Sequence, residues 1–137
     1  MQINYHTRKL VNFSYNTRKD ILYKLTIDVC GSAMRKRIDL SFKEKIDDIA
    51  IICKYKKEII GWSCIFSNKV MLFINPRYRN KGIGTELLNR SERYLKRNKY
   101  KVVRVSSWSE CALDFYNDKG YIYNKENAGY FALEKKL

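Results

Sequence analysis

The chain has 137 residues, 45% of them apolar and 14% aromatic, which is enough to bury the core of one domain. Its formal net charge of +14 predicts anionic partners such as phosphorylated cofactors, nucleic acid or an anionic surface, although solvated surface lysines would give the same balance. Four cysteines without Cys-x-x-Cys spacing and a single histidine disfavour a zinc site, and the lack of a signal-like N-terminus or a membrane-length apolar run predicts a soluble cytoplasmic protein with reduced thiols.

The N-terminal third contains weakly defined elements. Residues 1–16 mix polar and aromatic side chains and predict one or two strands. Thr17 is predicted to be the N-cap of a helix, with Asp20 three residues further on, and Gly31 is predicted to end that helix. The basic segment Ser32–Lys45 has no clear period and predicts a short helix followed by a loop.

Three apolar runs follow without an intervening helix, at Ile49–Tyr55, Ile59–Phe66 and Val70–Ile74. Short polar turns at 56–58 and 67–69 separate them. Runs of this length bounded by turn residues are typical of buried strands. Consecutive strands joined by short turns predict an antiparallel meander.

A basic loop with two glycines, Asn75–Thr85, connects the third run to a predicted helix at Glu86–Leu95. The first N–H groups of a helix have no partner inside it, and the helix dipole adds positive charge there, so this junction is suited to anion binding. Gly82 and Gly84 lack a Cβ atom and let a phosphate approach the backbone. Cationic side chains surround the loop at Arg77, Arg79 and Lys81.

The loop sequence excludes two common phosphate-binding motifs. No Gly-Lys-Ser/Thr follows, as it would in a nucleotide P-loop, and no third glycine completes a dinucleotide-binding fingerprint. Taken alone, Gly-x-Gly is better explained by a glycine turn that opens a helix.

The remaining chain predicts a strand, a short helix and a hairpin. Strand Lys101–Ser106 should pair in parallel with Val70–Ile74, because a helix connects the two. The short helix begins at Ser109 or Glu110 and ends at Gly120. The last hairpin is predicted around residues 125–129, with strands at Tyr121–Tyr123 and Tyr130–Glu134.

Two motifs carry a resemblance to a known family. Residues 79–84 match Arg-x-x-Gly-x-Gly, and Ala112–Tyr121 matches Ala-x-x-x-Tyr-x-x-x-Gly-Phe/Tyr. In this order they resemble the GNAT superfamily of N-acetyltransferases, and the predicted order of elements agrees. The resemblance implies that residues 1–137 form a single domain with the GNAT acyl-CoA N-acyltransferase fold, an α/β fold in which helices flank a mixed, mostly antiparallel central sheet.

The same resemblance implies an acyltransferase that moves an acetyl group from acetyl-CoA, as co-substrate, to a primary amine. The main chain of Leu72, Phe73 and Ile74 would hold the pantetheine arm and polarise the acetyl carbonyl. Tyr116 would protonate the leaving thiolate as a general acid, unless it is only a packed structural tyrosine. Ser109 stands where many relatives have an asparagine that contacts pantetheine. The diphosphate would contact the glycine loop at Arg79, Asn80, Lys81, Gly82, Ile83, Gly84 and Thr85.

No general base can be carried over from the family. Some relatives have a glutamate where this chain has Arg104, and others where it has Asn68 and Lys69. A water chain, an acceptor of low amine pKa or a carboxylate such as Glu110 would then have to deprotonate the amine. The alternative function is a catalytically weak or inactive GNAT-fold module that binds nucleic acid or a protein.

The acceptor is predicted to be anionic or carried on an anionic molecule, with an RNA-linked amine as one candidate. Arg104 beside the reaction centre would repel cationic amines and favour the neutral form of a nearby amine. The competing explanation is that Arg104 neutralises CoA phosphates or pairs with Glu110. No membrane partner is expected, and the oligomeric state is open, with a homodimer compatible with the sequence.

Overall fold

The computed structural model describes residues 2–25, 36, 39–40, 43–44, 48–107, 110–127 and 130–137. The strands of its sheet are β1 (Asn4–Lys9), β2 (Ile49–Tyr55), β3 (Glu58–Phe66), β4 (Lys69–Ile74), β5 (Val102–Ser107), β6 (Ile122–Asn127) and β7 (Tyr130–Lys136). The main helices of these ranges are α1 (Tyr15–Leu25), α2 (Ile83–Arg97) and α3 (Glu110–Asp118). Within the same ranges, none of the helices is long and apolar enough to cross a membrane.

The seven strands lie in the spatial order β1-β2-β3-β4-β5-β7-β6. Neighbouring strands are antiparallel except β4 and β5, which are parallel. This confirms the predicted antiparallel meander and the predicted parallel pairing across the α2 connection. The α/β fold with a mixed, mostly antiparallel sheet flanked by helices is therefore confirmed.

The central strands β2, β3 and β4 pack against apolar side chains on both faces of the sheet. One face packs against α2, whose buried residues repeat at helical spacing. The other face carries a second apolar cluster in which the rings of Trp62 and Phe73 stack with their centroids 5.4 Å apart. The buried positions of α2 lie on one face of the helix: Ile83, Leu87, Leu88, Ser91 and Leu95.

The predicted N-cap at Thr17 is wrong, because α1 already begins at Tyr15. Ser14 precedes the helix, and its Oγ accepts a hydrogen bond from the Thr17 backbone N–H at 3.2 Å. Ser14 Oγ also donates to Thr17 Oγ1 at 3.0 Å. Two hydroxyl residues three positions apart can each cap a helix, and the sequence does not rank them. The predicted stop at Gly31 and most of 32–45 lie outside the described residues.

The C-terminal hairpin is longer than predicted. Strand β6 continues through Lys125 to Asn127, where a loop was expected, and its register against β7 shifts between Tyr123 and Lys125. An extra residue in one strand changes the alternation of side chains, so a pattern of period two does not reveal the pairing.

A buried pair of serines ties α2 to the sheet. Ser63 on β3 and Ser91 on α2 are both 0% exposed, and their Oγ atoms lie 2.7 Å apart. Ser91 donates its hydroxyl proton to the Leu87 carbonyl at 2.8 Å. A hydroxyl has one hydrogen to donate, so Ser63 is the donor to Ser91.

This direction predicts unequal effects of two alanine substitutions. Ser91→Ala leaves the Ser63 hydroxyl buried without its acceptor and should lower the free energy of unfolding by about 1–3 kcal/mol. Ser63→Ala leaves Ser91 bonded to Leu87 and should cost about 1 kcal/mol. Urea denaturation of both variants and of the double variant measures the difference. Equal costs for the two single variants would contradict the assigned donor.

Candidate functional site

Strands β4 and β5 separate after two paired positions. Lys69 pairs with Arg104 and Val70 pairs with Val105, and the Arg104 N–H donates to the Asn68 carbonyl at 2.9 Å. Beyond these pairs, no described strand continues the ladder along this edge of β4, whereas β3 accompanies β4 along its whole length. The result is a gap between two strands, bordered on one side by a single edge of β4.

The alternation of the β ladder determines which main-chain groups of β4 face this gap. The Asn68 carbonyl bonds β5, while the Asn75 N–H donates to the Ile60 carbonyl on β3 at 2.8 Å. Successive residues of a strand direct their N–H and C=O groups to opposite neighbours. Leu72 and Ile74 therefore direct theirs into the gap. The main chain of Phe73 faces β3 instead.

The loop after β4 is shaped by two residues with left-handed backbone. Asn80 has φ of 61° and Gly82 has φ of 81°, a region that asparagine and glycine tolerate better than other residues. A Cβ atom built on Gly82 would have nothing within 4 Å, so the space beside this glycine is open. Arg79 crosses back to β4, where its Nε donates to the Ile74 carbonyl at 3.0 Å.

Helix α2 begins at Ile83, directly after Gly82. The first N–H bonded back within the helix is that of Glu86, which donates to the Gly82 carbonyl at 3.1 Å. The N–H groups of the preceding residues of the first turn are those a helix leaves without an internal acceptor. These N–H groups lie at the same end of the sheet as the open edge of β4.

Gly84 brings the two sequence motifs together. A Cβ atom on Gly84 would lie 3.5 Å from Cζ of Phe115 and 3.8 Å from Cγ1 of Ile74. Phe115 belongs to α3, so this helix is packed against the start of α2 and the end of β4. The glycine loop, the open strand edge and the second motif therefore meet at one junction.

Tyr116 follows Phe115 on α3 and is 5% exposed. Its ring makes edge-on contacts with Phe115 at 5.2 Å and with Tyr121 at 5.6 Å between centroids. This packing fixes the ring of Tyr116 close to the junction.

A polar contact that the sequence did not indicate holds the end of α3 against α2. The Tyr121 hydroxyl donates to Glu92 Oε2 at 2.7 Å, and Lys135 Nζ lies 3.1 Å from Glu92 Oε1. Burial and the bonded Glu92 carboxylate raise the pKa of Tyr121 well above its ordinary value. Glu92 and Lys135 are 43 positions apart in the chain, so only the fold brings them together.

The positions expected for a general base carry no carboxylate. Asn68 Nδ2 donates to the Val102 carbonyl at 3.2 Å and so supports the closed end of the gap. Arg104 is exposed, and it lies opposite Lys69 across the parallel pair and opposite Glu134 across the β5–β7 pair. Glu110 begins α3, and Ser109 lies outside the described residues. Among the residues described, no group of three or more His, Cys, Asp or Glu side chains could hold a metal ion.

Comparison with known proteins identifies a family for most of the chain. The profile described as "Acetyltransferase (GNAT) family" matches residues 20–121. No curated protein sequence matches the chain.

Solved structures share the fold at low sequence identity. The PaiA N-acetyltransferase of Thermoplasma acidophilum in complex with coenzyme A is 18% identical, with all of both chains covered and a TM-score of 0.74. An acyl-CoA N-acyltransferase from Pseudomonas aeruginosa is 11% identical over 98% of this chain and 99% of that one, with a TM-score of 0.78. A GNAT family acetyltransferase from Elizabethkingia anophelis with acetyl-CoA bound is 17% identical over 98% of each chain, with a TM-score of 0.71.

The Tyr121–Glu92 contact predicts how stability changes at alkaline pH. Because the pKa of Tyr121 is raised in the folded protein, the unfolded chain loses this proton first as the pH passes about 10. The free energy of unfolding should then fall by up to about 1.4 kcal/mol per pH unit from this group, and Tyr121→Phe should remove that part of the slope. Denaturation at a series of alkaline pH values measures it, with Tyr100→Phe at an exposed position as the control. An unchanged slope in Tyr121→Phe would contradict the assignment.

Proposed function

Because the chain belongs to the acetyltransferase (GNAT) family, we propose that it transfers an acetyl group from acetyl-CoA to a primary amine by direct attack. The observation that carries this proposal is the junction of the open β4 edge, the start of α2 and the Phe115–Tyr116 segment of α3. Each part of the junction supplies one requirement of the reaction.

The open edge of β4 would bind the pantetheine arm. The N–H and C=O of Leu72 and the N–H of Ile74 face the gap, so an extended amide-bearing arm can bond them as an added strand would. The Ile74 carbonyl already accepts a hydrogen bond from Arg79. One of these N–H groups would also stabilise the oxyanion that forms on the thioester carbonyl. Phe73 would act indirectly, through the stack with Trp62 that holds the strand in place.

The start of α2 would bind the diphosphate. Its first-turn N–H groups and the helix dipole favour an anion at this position. Ile83 has a buried side chain and would contribute only its backbone, as would Gly84 and Thr85. Arg79, Asn80, Lys81 and Gly82 form the loop that would enclose the phosphates.

The chemistry then needs an amine nucleophile, an oxyanion donor and a proton for sulfur. The amine nitrogen bonds to the carbonyl carbon, the carbon–sulfur bond breaks, and the thiolate takes the phenol proton of Tyr116. The proton that leaves the amine would restore Tyr116 or pass to water. Phe115 lies against Gly84, and this packing keeps α3, and with it Tyr116, beside the gap.

We further propose an acceptor amine that is anionic or carried on an anionic molecule such as RNA. Its support is the +14 charge together with Arg104 and Lys69, which lie opposite each other at the closed end of the gap. Two cations there would disfavour a free polyamine and lower the pKa of a nearby amine. Most of the segment 29–36, which would border the acceptor, lies outside the described residues.

One observation favours a second candidate function. The positions Asn68, Lys69 and Arg104 hold no carboxylate to deprotonate the amine, as expected of a module that binds cofactor, nucleic acid or a protein without turnover. Release of free CoA thiol from acetyl-CoA in the presence of a panel of amines tests the two. Thiol release that depends on an amine supports the transferase, and saturable acetyl-CoA binding without release across the panel supports the second function.

The diphosphate assignment predicts the effect of Gly82→Val. Acetyl-CoA should raise the thermal midpoint of the wild-type protein, because it binds the folded state. Valine at φ of 81° is strained and places a Cβ in the open space beside the loop, so the variant should lose this ligand-induced shift. Differential scanning fluorimetry measures the shift relative to each variant's own midpoint.

Gly120→Val is the matched control for backbone strain. Gly120 also has positive φ, 92°, and lies beyond the end of α3. Its valine variant should be less stable but should keep the acetyl-CoA shift. A normal shift in Gly82→Val would remove the phosphate-binding role from this loop.

Tyr116→Phe should lower turnover by about 10²–10⁴-fold with little change in the affinity for acetyl-CoA. The hydroxyl acts only as charge develops on sulfur, so its loss is a transition-state effect. Steady-state rates and equilibrium titration of acetyl-CoA separate the two quantities. Tyr121→Phe, which loosens the packing but keeps the Tyr116 hydroxyl, is the control. Wild-type turnover in Tyr116→Phe, with chemistry rate-limiting, would make Tyr116 a structural residue.

A further inference from the structure

A basic groove lies between α2 and the first two strands of the sheet. It encloses about 530 Å³. Its base is formed by Thr7 of β1, Ile51 of β2 and Tyr94 of α2. Its wall is formed by four cationic side chains of α2, namely Arg90, Arg93, Lys96 and Arg97.

The charge of this basic groove is only partly compensated. One carboxylate, that of Glu86, forms ion pairs with two of the cations. Its Oε1 lies 2.8 Å from Arg90 Nε and 3.5 Å from Arg93 Nη2. Lys96 and Arg97 have no ion pair among the described residues. Favourable interaction with the helix dipole accounts for cations in the last turn of α2, but not for Arg90 and Arg93 further back.

Arg90 is held in place by neighbouring groups. Its Nε bonds Glu86, and its guanidinium carbon lies 4.3 Å from the centre of the Tyr5 ring. An arginine has five N–H donors, and Nε is the one used in this contact. Among the residues that the structure describes, the other donors of Arg90 have no hydrogen bond, and the position of the side chain is already fixed by these contacts, which reduces the entropy lost when a ligand binds.

The basic groove is separate from the proposed acetyl-transfer site. The groove uses β1 and β2, whereas the gap lies between β4 and β5, and β3 stands between the two pairs in the sheet. Along α2, the phosphate-binding turn is at Ile83, while the groove begins at Arg90. An anion in the groove therefore does not occupy the cofactor position.

The length of the cationic row indicates the size of the ligand. Arg90 and Arg97 are seven residues apart, which is about 10 Å along a helix. A single phosphate cannot contact both ends of this row. A nucleic-acid strand carries a charge about every 3.4 Å of helix axis when stacked and at wider spacing when extended, and so presents about two or three phosphates over this length. Tyr94 adds an aromatic ring on which a base can stack.

We propose that this basic groove binds the sugar-phosphate backbone of a nucleic-acid strand. Arginine side chains form bidentate contacts with phosphate, and three of the four wall residues are arginines. The contacts are to phosphates and to the face of a base, so binding has little sequence preference. The interaction requires neither acetyl-CoA nor turnover.

The test is fluorescence anisotropy of a labelled single-stranded oligouridine with the full chain, without acetyl-CoA, over a range of salt concentrations. The variant replaces Arg93, Lys96 and Arg97 by glutamine. The matched control replaces Lys54, Lys56 and Lys57 by glutamine, the same loss of charge at the C-terminal end of β2 and in the turn that follows it. Single strands contribute about 0.7 to the slope of log affinity against log salt for each neutralised phosphate.

The groove variant should bind more weakly than wild type, with a slope that is shallower by about 0.7–1.4, since the row spans about two or three phosphates and Arg90 keeps one of them. The control should keep the wild-type slope. Wild-type affinity and slope in the groove variant would overturn the proposal. Displacement of the oligouridine by polyglutamate as effectively as by unlabelled oligouridine would also overturn it, in favour of an acidic peptide.

If the triple variant fails to fold, a single substitution still tests the proposal. The Arg93 side chain is 64% exposed, so Arg93→Gln alone should fold and should lower the slope by about 0.7. An unchanged slope in this variant would contradict the role of Arg93. Acetyl transfer to a small amine should be unaffected in either variant, so a failure here is distinct from a failure of the proposed transferase activity.

Discussion

The separation of β4 from β5 after Val70 and Val105 is the feature on which the rest of the site depends. An unpaired strand edge is ordinarily a liability, because its main-chain groups lack partners. Here β4 stays ordered because β3 bonds its other edge throughout and because it is packed from both faces. Phe73 stacks on Trp62 on one face, and Ile74 lies near α2 and α3 on the other. The open edge is thus a rigid array of donors and acceptors.

Helix α2 connects the two anion-binding regions proposed for this protein. Its position is fixed by the buried Ser63–Ser91 contact and by its apolar face. Its first turn opens beside β4, where backbone N–H groups favour a diphosphate. Its second half carries a row of cations over β1 and β2. The two proposed ligands, a phosphorylated cofactor and a polyanion, would contact different parts of this helix and would not compete for the same residues.

Local sequence patterns predicted the elements well where a long apolar run indicated a strand or a glycine indicated the end of a helix. The strands β2 to β4 and the end of α3 before Gly120 are of this kind, whereas α2 begins at Ile83, before the predicted Glu86. Patterns failed where two residues offered the same chemistry, as Ser14 and Thr17 do, or where a register shift disturbed the alternation in β6.

The candidate site was predictable only in part, because much of it is made by contacts between distant residues. The loop motif indicated the phosphate position, but no local signal shows that β4 separates from β5 or that Phe73 turns its main chain away from the gap. The contact of Glu92 with Tyr121 joins residues 29 positions apart and carries no sequence signature.

The direct measurement of the central claim is residue-resolved amide hydrogen exchange of β4 with and without saturating acetyl-CoA. The N–H groups of Leu72 and Ile74 should exchange more slowly when acetyl-CoA is bound, while Phe73, already bonded to β3, should change little; unchanged exchange at Leu72 and Ile74 under saturation would contradict the account.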